Sequence, residues 1–325
     1  MILAGDIGGT KTLIGLFDVA TKRPRAVDVQ EFSTTAFPGL PAIIDAFAAK
    51  LAGSRLGITA AAFGVAGPVI NQSAEMTNVE WRVDAAELAT RLGISRVRLL
   101  NDLEAMAHGV RVLDSEELLT LQSGQPRIDG NIALIAAGTG LGESVLHYVE
   151  GRYLPVASEG GHTDFAARTD RELDFVRFLR GRFGRAEVEH VLSGPGLVNL
   201  SDFTHLDGRC GALAHLSDNS PDIPAEVTRS ALSGQCPKCV EALDLFVAAY
   251  GATAGNLALT AVTTAGVFIG GGIAPRILPA LQKGLFVEAF NDKGPMRPLL
   301  EAMPVQVILN RQAGLLGAAV YADSL

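Results

Sequence analysis

Two adjacent glycines, Gly8 and Gly9, constrain what this chain can fold into more than any other feature. Ile2-Leu3-Ala4 and Gly5-Asp6-Ile7 run up to them, and Thr10-Lys11-Thr12 leads into the apolar run Leu13-Ile14-Gly15-Leu16-Phe17. Both flanks have strand length, so the stretch reads as a β-hairpin with a tight turn. A turn without side chains leaves backbone N–H groups uncovered, and a phosphate can approach them closely. Asp6 falls at the end of the first strand, where a carboxylate is placed to orient Mg²⁺ through its waters. An ordinary buried hairpin has the same pattern, so the motif alone does not decide. It does exclude the P-loop: Lys11 follows Thr10 rather than glycine, and a strand rather than a helix comes next.

The remaining chain has material for a large core. Its 325 residues suffice for two domains, with 48% apolar and 19% charged residues. A net charge of −8 and a pI near 5.3 give no electrostatic case for nucleic acid or an anionic membrane surface. The first strand begins at Ile2, which leaves no room for a signal peptide and points to the cytoplasm. Mean hydropathy is +0.27, and the one candidate membrane span is Val240 to Ile273. It carries Glu241, Asp244 and Asn256 and breaks at Gly270-Gly271-Gly272, as a buried helix followed by a buried strand would. No membrane partner is expected.

Three cysteines, Cys210, Cys236 and Cys239, argue against a disulfide framework. Cys236-Pro-Lys-Cys239 has metal-ligand or redox spacing, and His205 and His215 lie near Cys210. One pair and one distant cysteine fall short of a four-ligand zinc pattern. The expectation is a helix start that happens to hold two thiols.

In chain order, Arg23 to Glu31 reads as a polar connection and Pro41 to Leu51 as an amphipathic helix. Ala60 to Ala66 reads as a buried strand stopping at Gly67-Pro68. Met76 to Trp81 follows, then a helix to Leu92 with Asp84 as N-cap. Ser95 to Leu100 is a strand, and Leu103, Met106, Ala107 and Val110 repeat with helical spacing. Asn101 and Asp102 therefore lie where a strand ends and a helix begins, the edge at which open α/β sheets bind ligands. A helix N-cap is also a common use of aspartate there, and position does not decide between the two.

Asn131 to Ala137 is a buried strand followed by Gly138-Thr139-Gly140-Leu141-Gly142, and Ser144 to Val149 continues as a strand. This second glycine hairpin suggests an internal duplication of a β-rich α/β unit. Ser158 to Asp164 is a polar cluster between glycines. Helices are expected over Asp170 to Phe183, up to Glu189-His190-Val191-Leu192, from Leu197, and over Pro237 to Ala261. Residues 204 to 236 read as mobile loops. Gly266 to Gly272 is a strand entering a third glycine turn, Val305 to Leu309 a last strand, and Gln312 to Ala322 a C-terminal helix.

Together these glycine-rich strand ends resemble the hexokinase/actin-like ATPase superfamily, and within it the bacterial glucokinase family of the type without the zinc motif. The resemblance is carried by Gly5 to Thr10, Leu100-Asn101-Asp102, Gly138 to Gly142, Glu159-Gly160-Gly161-His162-Thr163-Asp164-Phe165, Glu189 with Val191 to Leu200, and Gly270 to Ile273. It implies a two-domain actin-like ATPase (ribonuclease H-like) α/β fold, each domain a mixed five-stranded sheet flanked by helices, with a cleft between them. The domains implied are 1–111 with 303–325, and 112–302. The implied reaction is transfer of the γ-phosphoryl of ATP to the 6-hydroxyl of glucose, the first step of glycolysis. ATP would lie on Gly5, Asp6, Ile7, Gly8, Gly9, Thr10, Gly138, Thr139 and Gly271, with Mg²⁺ near Asp6. Asn101, Asp102, Glu159, His162 and Glu189 would hold glucose, Asp102 being the general base, in a homodimer.

Two departures stand out. Lys11 stands where Asn is frequent in the family and is expected to reach a phosphate. Glu143 adds negative charge beside the second turn, and its side chain is expected to point away from the phosphates. The residue types suit the chemistry, because carboxylates, amide and imidazole read sugar hydroxyls by paired hydrogen bonds. A carboxylate that accepts the hydroxyl proton late in phosphoryl transfer favours attack on phosphorus. A kinase for another hexose on the same fold is the alternative.

Overall fold

A computed structural model describes residues 1–20, 22–50, 57–76, 79–217 and 220–325. Leu51 of the expected first helix, and Thr77-Asn78, lie outside them. The chain divides into two units, Met1–Ser115 with Asn310–Leu325, and Glu116–Leu309.

The first unit contains β1 (Ile2–Ile7), β2 (Lys11–Asp18), β3 (Arg25–Ser33), α1 (Leu40–Lys50), β4 (Ala60–Val65), β5 (Val69–Ile70), β6 (Ser73–Glu75), β7 (Arg82–Asp84), α2 (Ala85–Leu92), β8 (Val97–Asn101) and α3 (Asp102–Val110). Its main sheet runs β3-β2-β1-β4-β8, with β1, β4 and β8 parallel and β2 antiparallel to both neighbours. Strand residues alternate between faces, so β1 feeds two cores. Leu3 and Ile7 join Phe63 and Phe47 on one face, while Ile2 and Ala4 join Leu315 and Ala319 on the other. The polar connection expected over Arg23 to Glu31 is instead the edge strand β3. Its charged residues suit an edge, where one side of the backbone faces water. Asp84 caps α2 as expected, accepting the Ala86 and Glu87 N–H groups.

The second unit contains β9 (Leu118–Gln122), β10 (Ile132–Ala137), β11 (Leu141–Val149), β12 (Arg152–Ser158), α4 (Asp170–Phe183), α5 (Gly194–Thr204), α6 (Ile223–Leu232), α7 (Pro237–Ala261), β13 (Gly266–Gly270), α8 (Leu278–Leu281), α9 (Leu285–Asn291), α10 (Arg297–Glu301) and β14 (Val305–Ile308). Its sheet runs β12-β11-β10-β13-β14-β9. The first five repeat the order and directions of the other sheet, which gives the suspected duplication a structural form. β9 is a sixth strand, antiparallel on β14. Pairing with β13 also places β14 in this unit, whereas the sequence boundary at 303 had assigned it to the other.

α7 is long and apolar enough to cross a membrane, yet most of it is buried within the core of this unit, with Phe246 and Tyr250 fully enclosed. Two other expectations fail here. The residues expected to be loops include α6, whose Ile223, Val227 and Ala231 face the core; polar residues between them had hidden the stripe. Residues 187–192 form turns rather than a helix end, because Val188 and Glu189 give their N–H groups to Thr163 and Gly161. The last helix, α11 (Ala313–Asp323), packs on α3 of the first unit.

Candidate active site

In the first unit, the turn after β1 is closed by the Gly8 N–H donating to Lys11 O at 3.0 Å. It is held from behind by Thr34, whose hydroxyl donates to Gly8 O at 2.8 Å and lies 2.9 Å from the Thr12 hydroxyl. Thr10 is exposed, while Gly5 and Ile7 are buried in the sheet. Lys11 pairs with Glu31 on β3, and both side chains are exposed.

Asp6 points to the face covered by α11. A Cβ on Gly314, in the first turn of that helix, would lie 2.9 Å from Asp6 Oδ2, so the helix start lies close over the Asp6 carboxyl. Burial first, and then the Asp102 charge, push the Asp6 carboxyl up to about 6, while Lys11 works weakly the other way. Asp6 and Asp102 therefore share one edge of the sheet, at the C-terminal ends of β1 and β8.

Asn101, not Asp102, is the N-cap of α3: its Oδ1 accepts the Leu103 N–H at 2.9 Å. Its Nδ2 donates to Gly67 O, just beyond β4, at 3.1 Å. Asp102 is the first helical residue, with Oδ1 2.9 Å from the same Leu103 N–H. Capping is thus shared, and a carboxylate in the first turn suits the positive end of the helix dipole.

In the second unit, the Gly138 N–H closes the β10–β11 turn on Gly140 O at 2.8 Å, and the Gly194 N–H at the start of α5 donates to Gly138 O at 2.8 Å. Ser193 caps α5, accepting the Gly196 N–H and donating to Glu189 O. Gly271 takes a left-handed φ of +83°, and a Cβ there would meet Ala137 O at 2.2 Å. No other residue fits this approach of the third glycine turn to the second. Beneath both, the buried Tyr250 hydroxyl accepts the Ala137 N–H at 3.2 Å and lies 3.3 Å from Ile135 O and Gly270 O. It fixes the two strand ends that carry the turns.

Gly160–His162 forms a 3-10 turn after β12. Glu159 precedes it and is exposed. His162 Nδ1 lies 2.7 Å from Glu187 Oε2. That contact raises the His162 pKa, opposed by its slight burial and aided by the charges of Glu189, Glu187 and Glu159. The same bond holds the Glu187 carboxyl below its usual range. The structure thus brings Glu159, His162 and Glu189 together and adds Glu187, which no motif had singled out; its one signal was a carboxylate two residues before Glu189. Glu189 Oε2 accepts the Leu141 N–H at 2.7 Å. Glu143 lies beneath this cluster: a Cβ on Gly160 would sit 2.0 Å from its Oε2, and burial pushes its carboxyl up to about 7.

Each unit therefore carries a glycine turn suited to phosphate beside polar groups suited to a hydroxyl-rich ligand. The glucokinase family model matches residues 3–325. A glucokinase from Synechocystis sp. is 39% identical, with 98% of this chain and 97% of that protein aligned. A glucokinase structure from an Antarctic psychrotroph superimposes with a TM-score of 0.89 at 28% identity, covering 100% of this chain and 99% of the other. A ROK family glucokinase from Streptomyces griseus, in complex with glucose and AMPPNP, shares the fold at a TM-score of 0.67 and 24% identity, covering 100% and 99% of the two chains.

Proposed function

The chain belongs to the glucokinase family, and from that premise we propose how its residues divide the work of transferring the γ-phosphoryl of ATP to the 6-hydroxyl of glucose. The phosphates are assigned to the Gly8-Gly9-Thr10 and Gly138-Thr139 turns. In each, the first glycine's N–H closes the turn, and the N–H groups that follow it are not spent on that bond. Gly5, Ile7 and Gly271 act through packing, setting the strand ends from which the turns project.

Glucose is assigned to Asn101, Asp102, Glu159, His162 and Glu189, with Glu187 holding the His162 ring in position. Asp102 is the general base for the 6-hydroxyl. The observation that supports this role is its place in the first turn of α3, close enough to Asp6 for its charge to raise that carboxyl. The acceptor hydroxyl and the nucleotide turn are then served from one sheet edge.

Mg²⁺ fits the donor set, because Asp6 is a hard oxygen ligand whose ionisation is opposed by burial and by Asp102, and a cation offsets both. When bound, it supplies charge neutralisation to the phosphates. A need for ATP and free glucose supports a cytoplasmic location, and the homodimer is an expectation that light scattering tests.

Coupled ADP release with a panel of hexoses tests the assignment, and glucose should give the highest kcat/KM. Asp102→Asn should retain glucose binding while kcat falls roughly 10²–10⁴-fold, since an amide accepts no proton. Near-normal kcat would reduce Asp102 to a helix-end residue.

A further inference from the structure

His205, Cys210, Cys236 and Cys239, drawn from three separate stretches, place their ligand atoms within 4.8 Å of one another. His205 ends α5 as its C-cap, Cys210 lies in the irregular stretch that follows, Cys236 is the N-cap of α7 and Cys239 stands in the first turn of that helix. We propose that these four residues bind one structural zinc ion, which clamps the segment between α5 and α7 onto the second unit. The nucleotide and sugar assignments play no part in this inference.

The spacings match a tetrahedral ion. Zn–S bonds of about 2.3 Å and Zn–N bonds of about 2.0 Å set S···S edges near 3.8 Å and S···N edges near 3.5 Å. Cys236 Sγ and Cys239 Sγ lie 3.5 and 3.9 Å from His205 Nε2, and Cys210 Sγ lies 3.9 Å from Cys239 Sγ. That last distance is also far beyond the roughly 2.05 Å of a disulfide.

The surrounding groups prepare the ligands. His205 Nδ1 lies 2.8 Å from Ser201 O, and since a carbonyl only accepts, the proton is on Nδ1 and the Nε2 lone pair faces the sulfurs. A backbone carbonyl on the far nitrogen is a usual support of a metal-bound histidine. Cys236 Sγ accepts the Cys239 N–H at 3.5 Å at the positive end of α7, which favours thiolate. Three thiolates, one neutral imidazole and Zn²⁺ leave one negative charge. An adjacent cavity of about 540 Å³, lined in part by Arg209, Arg229 and Lys238, reaches Cys210 and Cys236 and supplies an entry path.

Four protein ligands complete the shell, so the ion has no open position and its role is structural. The sequence obscured the site because Cys210 and Cys236 lie far apart in the chain, with α6 between them. His215, equally near Cys210 in sequence, is exposed and not part of the cluster.

The test uses full-length, untagged protein purified with reductant and without chelator. Plasma mass spectrometry should find one zinc per chain, released as a mercurial reagent titrates the three thiols. Cobalt(II) in its place should give thiolate-to-metal charge transfer and the strong visible bands of tetrahedral coordination. Cys210→Ser, at the least buried ligand, and Cys239→Ser should lose stoichiometric zinc, and His215→Ala should keep it. Metal removal should lower the Tm. Wild-type protein that neither carries zinc nor takes up zinc or cobalt would overturn the proposal whatever the variants do. So would a Cys210–Cys239 disulfide in the reduced preparation, or three thiols that titrate freely without metal release.

Discussion

Glu189 Oε2 accepts the backbone N–H of Leu141 at 2.7 Å, so the carboxylate assigned to the sugar also holds the second glycine turn. Glu189→Ala leaves that N–H unpaired at a cost of about 1–3 kcal/mol. KM should then rise for ATP as well as glucose, each by about tenfold or more. Glu189→Gln keeps an acceptor oxygen and should affect mainly glucose. Steady-state kinetics with each substrate varied decides the point, and an alanine variant that changes glucose KM alone would separate the residue from the turn.

Asp6 should make the ligand-free protein less stable as pH rises. Its carboxyl titrates at about 6 when folded, against an ordinary 3.8. Well below pH 3.8 it is protonated in both states and costs nothing; the cost grows between 3.8 and about 6, and above that the folded state must hold a charge that burial and Asp102 oppose. Asp6→Asn should therefore gain about 1–3 kcal/mol of stability by pH 8 and several-fold less at pH 4, while kcat falls. Urea unfolding at the two pH values measures the difference. Equal gains at both would assign the effect to packing.

The His162–Glu187 pair is testable by titration. NMR should place the His162 midpoint above 6.5, and Glu187→Gln should move it down, because the acceptor charge is gone. With folded His162 raised, whatever stability the pair contributes is present below the ordinary histidine pKa and fades as pH passes the raised value. His162→Ala and Glu159→Gln should each weaken glucose binding by roughly 1–3 kcal/mol. Since one ligand is shared, the double variant should lose less than the sum. Calorimetry showing unchanged affinity in both single variants would remove this cluster from the site.

Glu143 should set an alkaline limit. Burial raises its carboxyl from 4.5 to about 7, so ionisation beneath the Gly160 turn grows through neutral pH. Glu143→Gln should therefore be more stable than the parent by roughly 2 kcal/mol at pH 8, with little difference at pH 4.5. Glucose KM in the parent should climb above pH 7 and stay flatter in the variant. Parallel pH profiles would show that the ionised form is accommodated without moving the turn.

Local chemistry in the sequence determined the parts that short stretches can encode by themselves. Gly8-Gly9 and the flanking apolar runs specified the first hairpin, the helical repeat from Leu103 to Val110 specified α3, and the apolar composition of Pro237 to Ala261 specified α7 as a core helix. The glycine turns and the Glu-Gly-Gly-His segment were visible for the same reason, since each is contiguous. Tertiary structure alone decided which strand a polar segment becomes, as in β3, and which separated groups meet. Glu187 gains its role only because the Asp164–Glu187 bridge sets it against His162, and Glu189 only because its loop folds over the second turn. Asp6 acquires a raised pKa from burial by α11, three hundred residues away in the chain, and from Asp102. Cys210, Cys236, Cys239 and His205 become a cluster because α5 and α7 pack together in one core. Hydrogen bonds, fields and coordination depend on distance in space, and that distance is set by packing between elements that no single stretch of sequence contains.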